Sequence, residues 1–89
     1  MVAGVTEMND KIRQAINDHA RLAVDVSTLS DDADLYQAGM TSHASVNLML
    51  ALEGAFEIEF PDEMLRREVF ESVTAIREAL TALQAEVVG

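Results

Sequence analysis

A chain of 89 residues with no cysteine and one proline has room for one compact domain, 1–89, and no disulfide framework, so packing alone must hold it together. Apolar residues make up 49% of it and aromatics only 4%, a mixture dominated by Ala, Val, Leu, Ile and Met that favours helices over strands and predicts an all-α fold. Sixteen acidic residues against six basic ones give a formal charge of -10, which repels nucleic-acid phosphates and anionic membrane surfaces and favours protein partners that present basic patches.

The first apolar series is Val5, Met8, Ile12, Ala15, Ile16 and His19, spaced by three or four residues, with Glu7, Asp10, Lys11, Arg13, Asn17 and Asp18 on the other face. It predicts an amphipathic helix. From Val24 to Met40 the periodicity gives way to a polar stretch with Asp31, Asp32, Asp34 and Gly39, in which Val26, Leu29, Leu35 and Tyr36 are the expected anchors on a core. A loop of this length in a compact domain is often functional. Thr41 or Ser42 is then the expected N-cap of a second helix running to about Phe56.

In that helix Ser45, Leu48, Met49, Leu52 and Phe56 share one face, while His43, Val46 and Leu50 form a second stripe that a monomer does not need for its core. Pro61 and Asp62 punctuate the chain, and Met64, Leu65 and Val69 predict one or two short helical turns. Ser72 is the expected cap of a last helix carrying Val73, Ile76, Leu80, Leu83 and Val87. The expected architecture is a four-helix bundle with a long first loop and a short third helix. No basic leader precedes an apolar run, and no segment approaches the roughly 20 apolar residues of a membrane span, so a cytoplasmic location is expected.

Most catalytic arrangements are absent. Two histidines far apart and no cysteine argue against zinc. The Asp31, Asp32, Asp34 run lacks the oxygen spacing and glycine of a calcium loop and reads as solvated surface. His43 follows Ser42 directly and projects in another direction, so it makes a poor base for that hydroxyl. Met8, Met49 and Met64 read as adaptable core.

What remains is a serine at the first turn of a helix, reached by a long loop and followed by a spare apolar stripe. The run Gly39-Met40-Thr41-Ser42-His43-Ala44-Ser45-Val46, continued by Leu48-Met49-Leu50-Ala51-Leu52-Glu53 and closed by Phe56, Pro61, Asp62 and Glu63, resembles the acyl carrier proteins. The register holds without a gap over more than twenty residues, with fainter agreement across the first and last helices. The resemblance implies an acyl-carrier-type bundle that is not an enzyme. It also implies that Ser42 carries covalent 4'-phosphopantetheine, taken from coenzyme A, with the cargo held as a thioester.

Its partners would be a phosphopantetheinyl transferase, an amino acid or acyl ligase, and a downstream transferase, with no nucleic acid and no membrane, and the chain acting as a monomer. Thr41, His43, Val46, Asn47, Leu50, Arg66 and Arg67 are the residues expected to meet them. Where the family has Asp and Leu around the serine this chain has Thr41 and His43, and a family Glu is replaced by Asn47. With the closing Phe60-Pro61-Asp62-Glu63-Met64-Leu65-Arg66-Arg67, the Thr-Ser turn is similar to a bacterial group of stand-alone aminoacyl carriers charged by ligases that look like the catalytic core of seryl-tRNA synthetases. An acyl or polyketide carrier and an unmodified helical adaptor are the alternatives left open.

Overall fold

A computed structural model describes the backbone of residues 3–88 and the side-chain environments of 7–84. Val5 and Val87, expected on apolar helix faces, lie outside the residues whose side chains are described. Helix α1 (Ala3–His19) buries Ile12, Ala15, Ile16 and the following Ala20, an i, i+3, i+4, i+8 stripe with polar residues opposite. His19, expected on that stripe, is exposed instead. The helix has closed by Arg21, whose left-handed backbone (φ 53°) turns the chain, so Ala20 takes the last core position.

The stretch from Arg21 to Thr41 contains no α-helix, yet it is tied down throughout. A 3-10 turn at Val26–Thr28 is capped by Asp25, whose carboxylate accepts from the Ser27 amide and hydroxyl at 3.0 and 2.9 Å. Both bonds favour the ionised form and hold Asp25 below the usual carboxylate range. Further along, Ala23 donates to the Ala38 carbonyl (3.2 Å), Leu35 to Glu71 (2.7 Å) and Thr74 to Asp31 (3.0 Å). Val26 and Leu35 are buried, and Leu29 and Tyr36 pack against the core, as expected of the loop's anchors.

The acidic run is not simply solvated surface. Asp31 accepts from Arg13 at 2.6 Å and lies 3.9 Å from Arg77, while Arg13 also donates to the Val26 carbonyl at 2.9 Å. One carboxylate thus joins the loop to two helices. Asp34 accepts from the amides of Tyr36 and Gln37 and fixes a turn; of the three only Asp32 is exposed.

Gly39 ends the loop at φ 118°, where a Cβ would stand 3.1 Å from the Ala23 nitrogen. That backbone region is nearly reserved for glycine. Gly39→Ala is expected to destabilise the protein by about 1–3 kcal/mol, read as a lower urea midpoint in circular dichroism. An unchanged midpoint would refute the strain.

Helix α2 (Ser42–Phe56) buries Ala44, Leu48 and Leu52 and leaves Met49 and Phe56 half-buried against the core. It ends at Glu57, in the left-handed conformation (φ 53°). The carboxylate of Glu53 accepts from the Phe60 amide at 2.9 Å, so Glu53 shapes the return of the chain after α2. Helix α3 (Val73–Val88) is capped by Ser72, whose hydroxyl accepts from Ala75 at 3.0 Å, and buries Val73, Ile76, Ala79, Leu80 and Leu83.

The expected short third helix does not form: among the described residues there are three α-helices and no strand. Between Phe60 and Phe70 the chain makes two 3-10 turns, Asp62–Met64 and Arg67–Phe70, separated by Leu65 and by Arg66 in an extended conformation (φ -127°, ψ 156°). Both phenylalanines are buried and their rings meet edge to face at 5.2 Å. Between them Met64 and Val69 are only half-buried, and Leu65 is 44% exposed. With both ends pinned and no apolar stripe between, so short a segment gains too little from helical packing to offset the cost of nucleating a helix.

Candidate functional site

Thr41 supplies the cap of α2, its hydroxyl accepting from the Ala44 amide at 3.0 Å. Ser42 is therefore the first helical residue, exposed, and its hydroxyl makes no hydrogen bond among the described residues. Its carbonyl accepts from the Ser45 hydroxyl at 2.6 Å. Capping, the ordinary role of serine at such a place, belongs to its neighbour.

Two grooves flank this first turn. Ser42 and Val46 line one of about 280 Å³ together with Tyr36, Leu65, Arg66, Arg67 and Phe70. Arg67 stacks on the Tyr36 ring at 4.0 Å. Thr41, His43 and Asn47 line the other, of about 360 Å³, together with Gly39 and Arg21. Leu50 stands further along α2, beside Asn47, His19 and Arg21.

The expected site residues thus divide around Ser42, with Val46, Arg66 and Arg67 on one side and Thr41, His43, Asn47 and then Leu50 on the other. Val46 and Leu50 are 50% and 56% exposed, so the spare stripe is accessible. Tyr36, Arg21 and Phe70 were not foreseen as site residues. No spacing rule links residues 36, 42 and 67; only the packing of the loop against 65–70 brings them together.

Chemically the site offers a free hydroxyl at a helix start, two adjacent guanidinium groups and an apolar surface. Among the described residues no cluster of three His, Cys, Asp or Glu side chains could hold a metal, and no helix is long and apolar enough to cross a membrane.

Comparison with known proteins fits this geometry. The family described as "Phosphopantetheine attachment site" matches residues 10–80. The chain is 48% identical over 73 residues to the aminoacyl carrier protein of Agrobacterium fabrum, covering 82% of this chain and 88% of that protein. It is 36% identical over 75 residues to aminoacyl carrier protein 1 of Bradyrhizobium diazoefficiens, covering 83% and 80%. The fold superposes with a TM-score of 0.82, at 47% identity over 84% of this chain and 97% of the other, on the Agrobacterium tumefaciens carrier protein bound to an engineered Bradyrhizobium japonicum glycine:carrier protein ligase with ATP. A glycylated carrier protein in complex with the Bradyrhizobium japonicum ligase is also similar, with a TM-score of 0.71 at 27% identity over 82% of this chain and 97% of the other. A matching site family, close relatives over most of both lengths and one shared fold make this chain a member of the phosphopantetheine carrier family, among the aminoacyl carrier proteins, and a carrier of cargo rather than an enzyme.

Proposed function

We propose that Ser42 is the residue that takes the phosphopantetheine arm and that the cargo is an amino acid. The single observation that carries the assignment is the Thr41 cap, which leaves the Ser42 hydroxyl exposed and without another task. When bound, the arm supplies a thiol on which an aminoacyl group is held as a thioester. In attachment by a phosphopantetheinyl transferase, the Ser42 oxygen bonds to the pantetheine-bearing phosphorus of coenzyme A, the pyrophosphate bond breaks, adenosine 3',5'-bisphosphate leaves and the hydroxyl proton is lost. The new phosphodiester lies beside free amides of the first turn of α2, where negative charge is favoured by about 0.3–1 kcal/mol.

An amino acid is the preferred cargo because two similar proteins are named aminoacyl carriers and one of the similar structures carries glycine. Glycine is the first amino acid to test. The exposed Val46 and Leu50, flanked by His43 and Asn47, are the surface proposed to meet the transferase, the ligase and a downstream acceptor enzyme. These apolar residues are few and scattered, which suits a monomer that docks briefly. Coenzyme A and ATP are reactants of the cytoplasm, which supports a cytoplasmic location.

Incubation with coenzyme A and a broad-specificity transferase is expected to add one phosphopantetheine to the intact mass. ATP, glycine and a glycine:carrier protein ligase are then expected to add one glycyl group that hydroxylamine removes. An arm that accepts fatty acyl groups from an acyl ligase, yet no amino acid from any aminoacyl ligase, would refute the cargo assignment.

A further inference from the structure

The six basic residues of this acidic chain are not evenly employed. Arg13 and Arg77 meet Asp31, and Lys11 lies over the Phe56 ring, 5.6 Å from its centroid. The other three border the start of α2: Arg21 on the His43 side, Arg66 and Arg67 on the Val46 side. Neither Arg66 nor Arg67 forms an ion pair among the described residues, although acidic residues outnumber basic ones sixteen to six.

We propose that Arg66 and Arg67 hold the phosphodiester of the arm in the groove between the first turn of α2 and the segment 65–70, a reading that rests on Ser42 being the attachment residue. Two observations select this groove over its neighbour. Ser42 itself lines it, whereas the other groove is lined by Thr41 and His43. It also has two arginines where the other has one. The Arg67 guanidinium lies over the Tyr36 ring, 4.0 Å from its centroid, and makes no ion pair among the described residues, so its N–H donors are open to the two-pronged pairing that guanidinium groups make with phosphate oxygens. Arg66 is exposed beside it.

The remaining walls suit the part of the arm next to the phosphate. Val46 stands one helical turn from Ser42, about 6 Å along the axis. There, with Leu65, it offers an apolar surface to the branched dimethyl carbon of the arm. Thirteen bonds separate phosphorus from sulfur, and at three backbone bonds per ~3.6 Å the extended arm reaches about 16 Å. A groove of about 280 Å³ therefore holds the phosphate and the adjoining branched carbons, while the thiol end projects beyond it. The guanidinium groups also repel the ammonium of an aminoacyl cargo, which keeps that end out of the groove and available to enzymes.

The test uses the protein carrying its arm, with the mass gain at Ser42 checked first. In the wild type, the 31P resonance is expected to differ from that of a short phosphopantetheinyl-serine peptide, and nuclear Overhauser effects are expected from the arm's methyl groups to Val46 and Leu65. The double variant Arg66→Gln, Arg67→Gln should return the phosphorus resonance to the peptide position and lose those contacts, while the amide spectra of α1 and α3 stay unchanged. Arg21→Gln should alter neither signal. A wild-type phosphorus resonance at the peptide position, an indifferent double variant, or methyl contacts to His43 would overturn the groove assignment alone. A chain that gains no arm at Ser42 would overturn both readings, so the two failures are distinguishable.

Discussion

Ser42→Ala is expected to give a folded protein that gains no phosphopantetheine at all from coenzyme A and a transferase, where the wild type gains one unit. The loss of modification is complete because, in the proposed assignment, the Ser42 oxygen is the atom that bonds to phosphorus. The effect on stability is small, within about 0.5 kcal/mol, because Thr41 keeps the capping bond to Ala44 and alanine is the best helix former for the position it enters. Intact-mass spectrometry and thermal unfolding by circular dichroism read the two halves of the prediction. A residual mass gain in the variant would move the attachment to another hydroxyl, with Ser45, which also lines the groove, the next to be substituted. A loss of fold would mean that Ser42 acts chiefly as a structural residue. Retention of partner binding by a wild-type chain that never accepts the arm would instead favour an unmodified adaptor.

Phe70→Ala is expected to cost about 3–5 kcal/mol. Phe70 is 5% exposed, packs edge to face on Phe60 at 5.2 Å, and ends the segment that faces α2. Removing the ring leaves a cavity and deprives Phe60 of its partner, worth about 0.5–1.5 kcal/mol beyond area burial. At about 0.05–0.15 kcal/mol per residue a domain of 89 residues has roughly 4–13 kcal/mol in all, so the variant spends a large part of its stability. Urea unfolding of the unmodified protein is the measurement. A loss under about 1 kcal/mol would mean that the segment 61–70 is held by something other than the two rings.

The three helices were legible because each carries its own signal. Ile12, Ala15 and Ile16, then Leu48 and Leu52, then Val73, Ile76, Leu80 and Leu83 recur at helical spacing, and a contiguous periodic run needs no knowledge of distant residues to be read. Ser72 was legible as a cap for the same local reason. The segment after Pro61 was misread because Met64, Leu65 and Val69 are weakly patterned, and its conformation is set by the long-range burial of Phe60 and Phe70. Asp31 was misread because its partners, Arg13 and Arg77, are 18 and 46 positions away. His19 was misread by one helical step, since the turn at Arg21 hands the last core position to Ala20.

The sequence by itself determined an all-helical acidic domain and the position of Ser42 at the start of α2, since helical periodicity, capping chemistry and the Gly39–Val46 run are all local. The structure decided between Thr41 and Ser42 for the cap bond, and tertiary packing alone decided that Asp31 ties the loop to two helices and that Tyr36, Arg66 and Arg67 share a groove with Ser42. The ion pairs of Asp31 and the shared groove depend on which segments the chain brings alongside one another, and that is settled by burying residues distant in sequence, Phe60 and Phe70 among them, in one core.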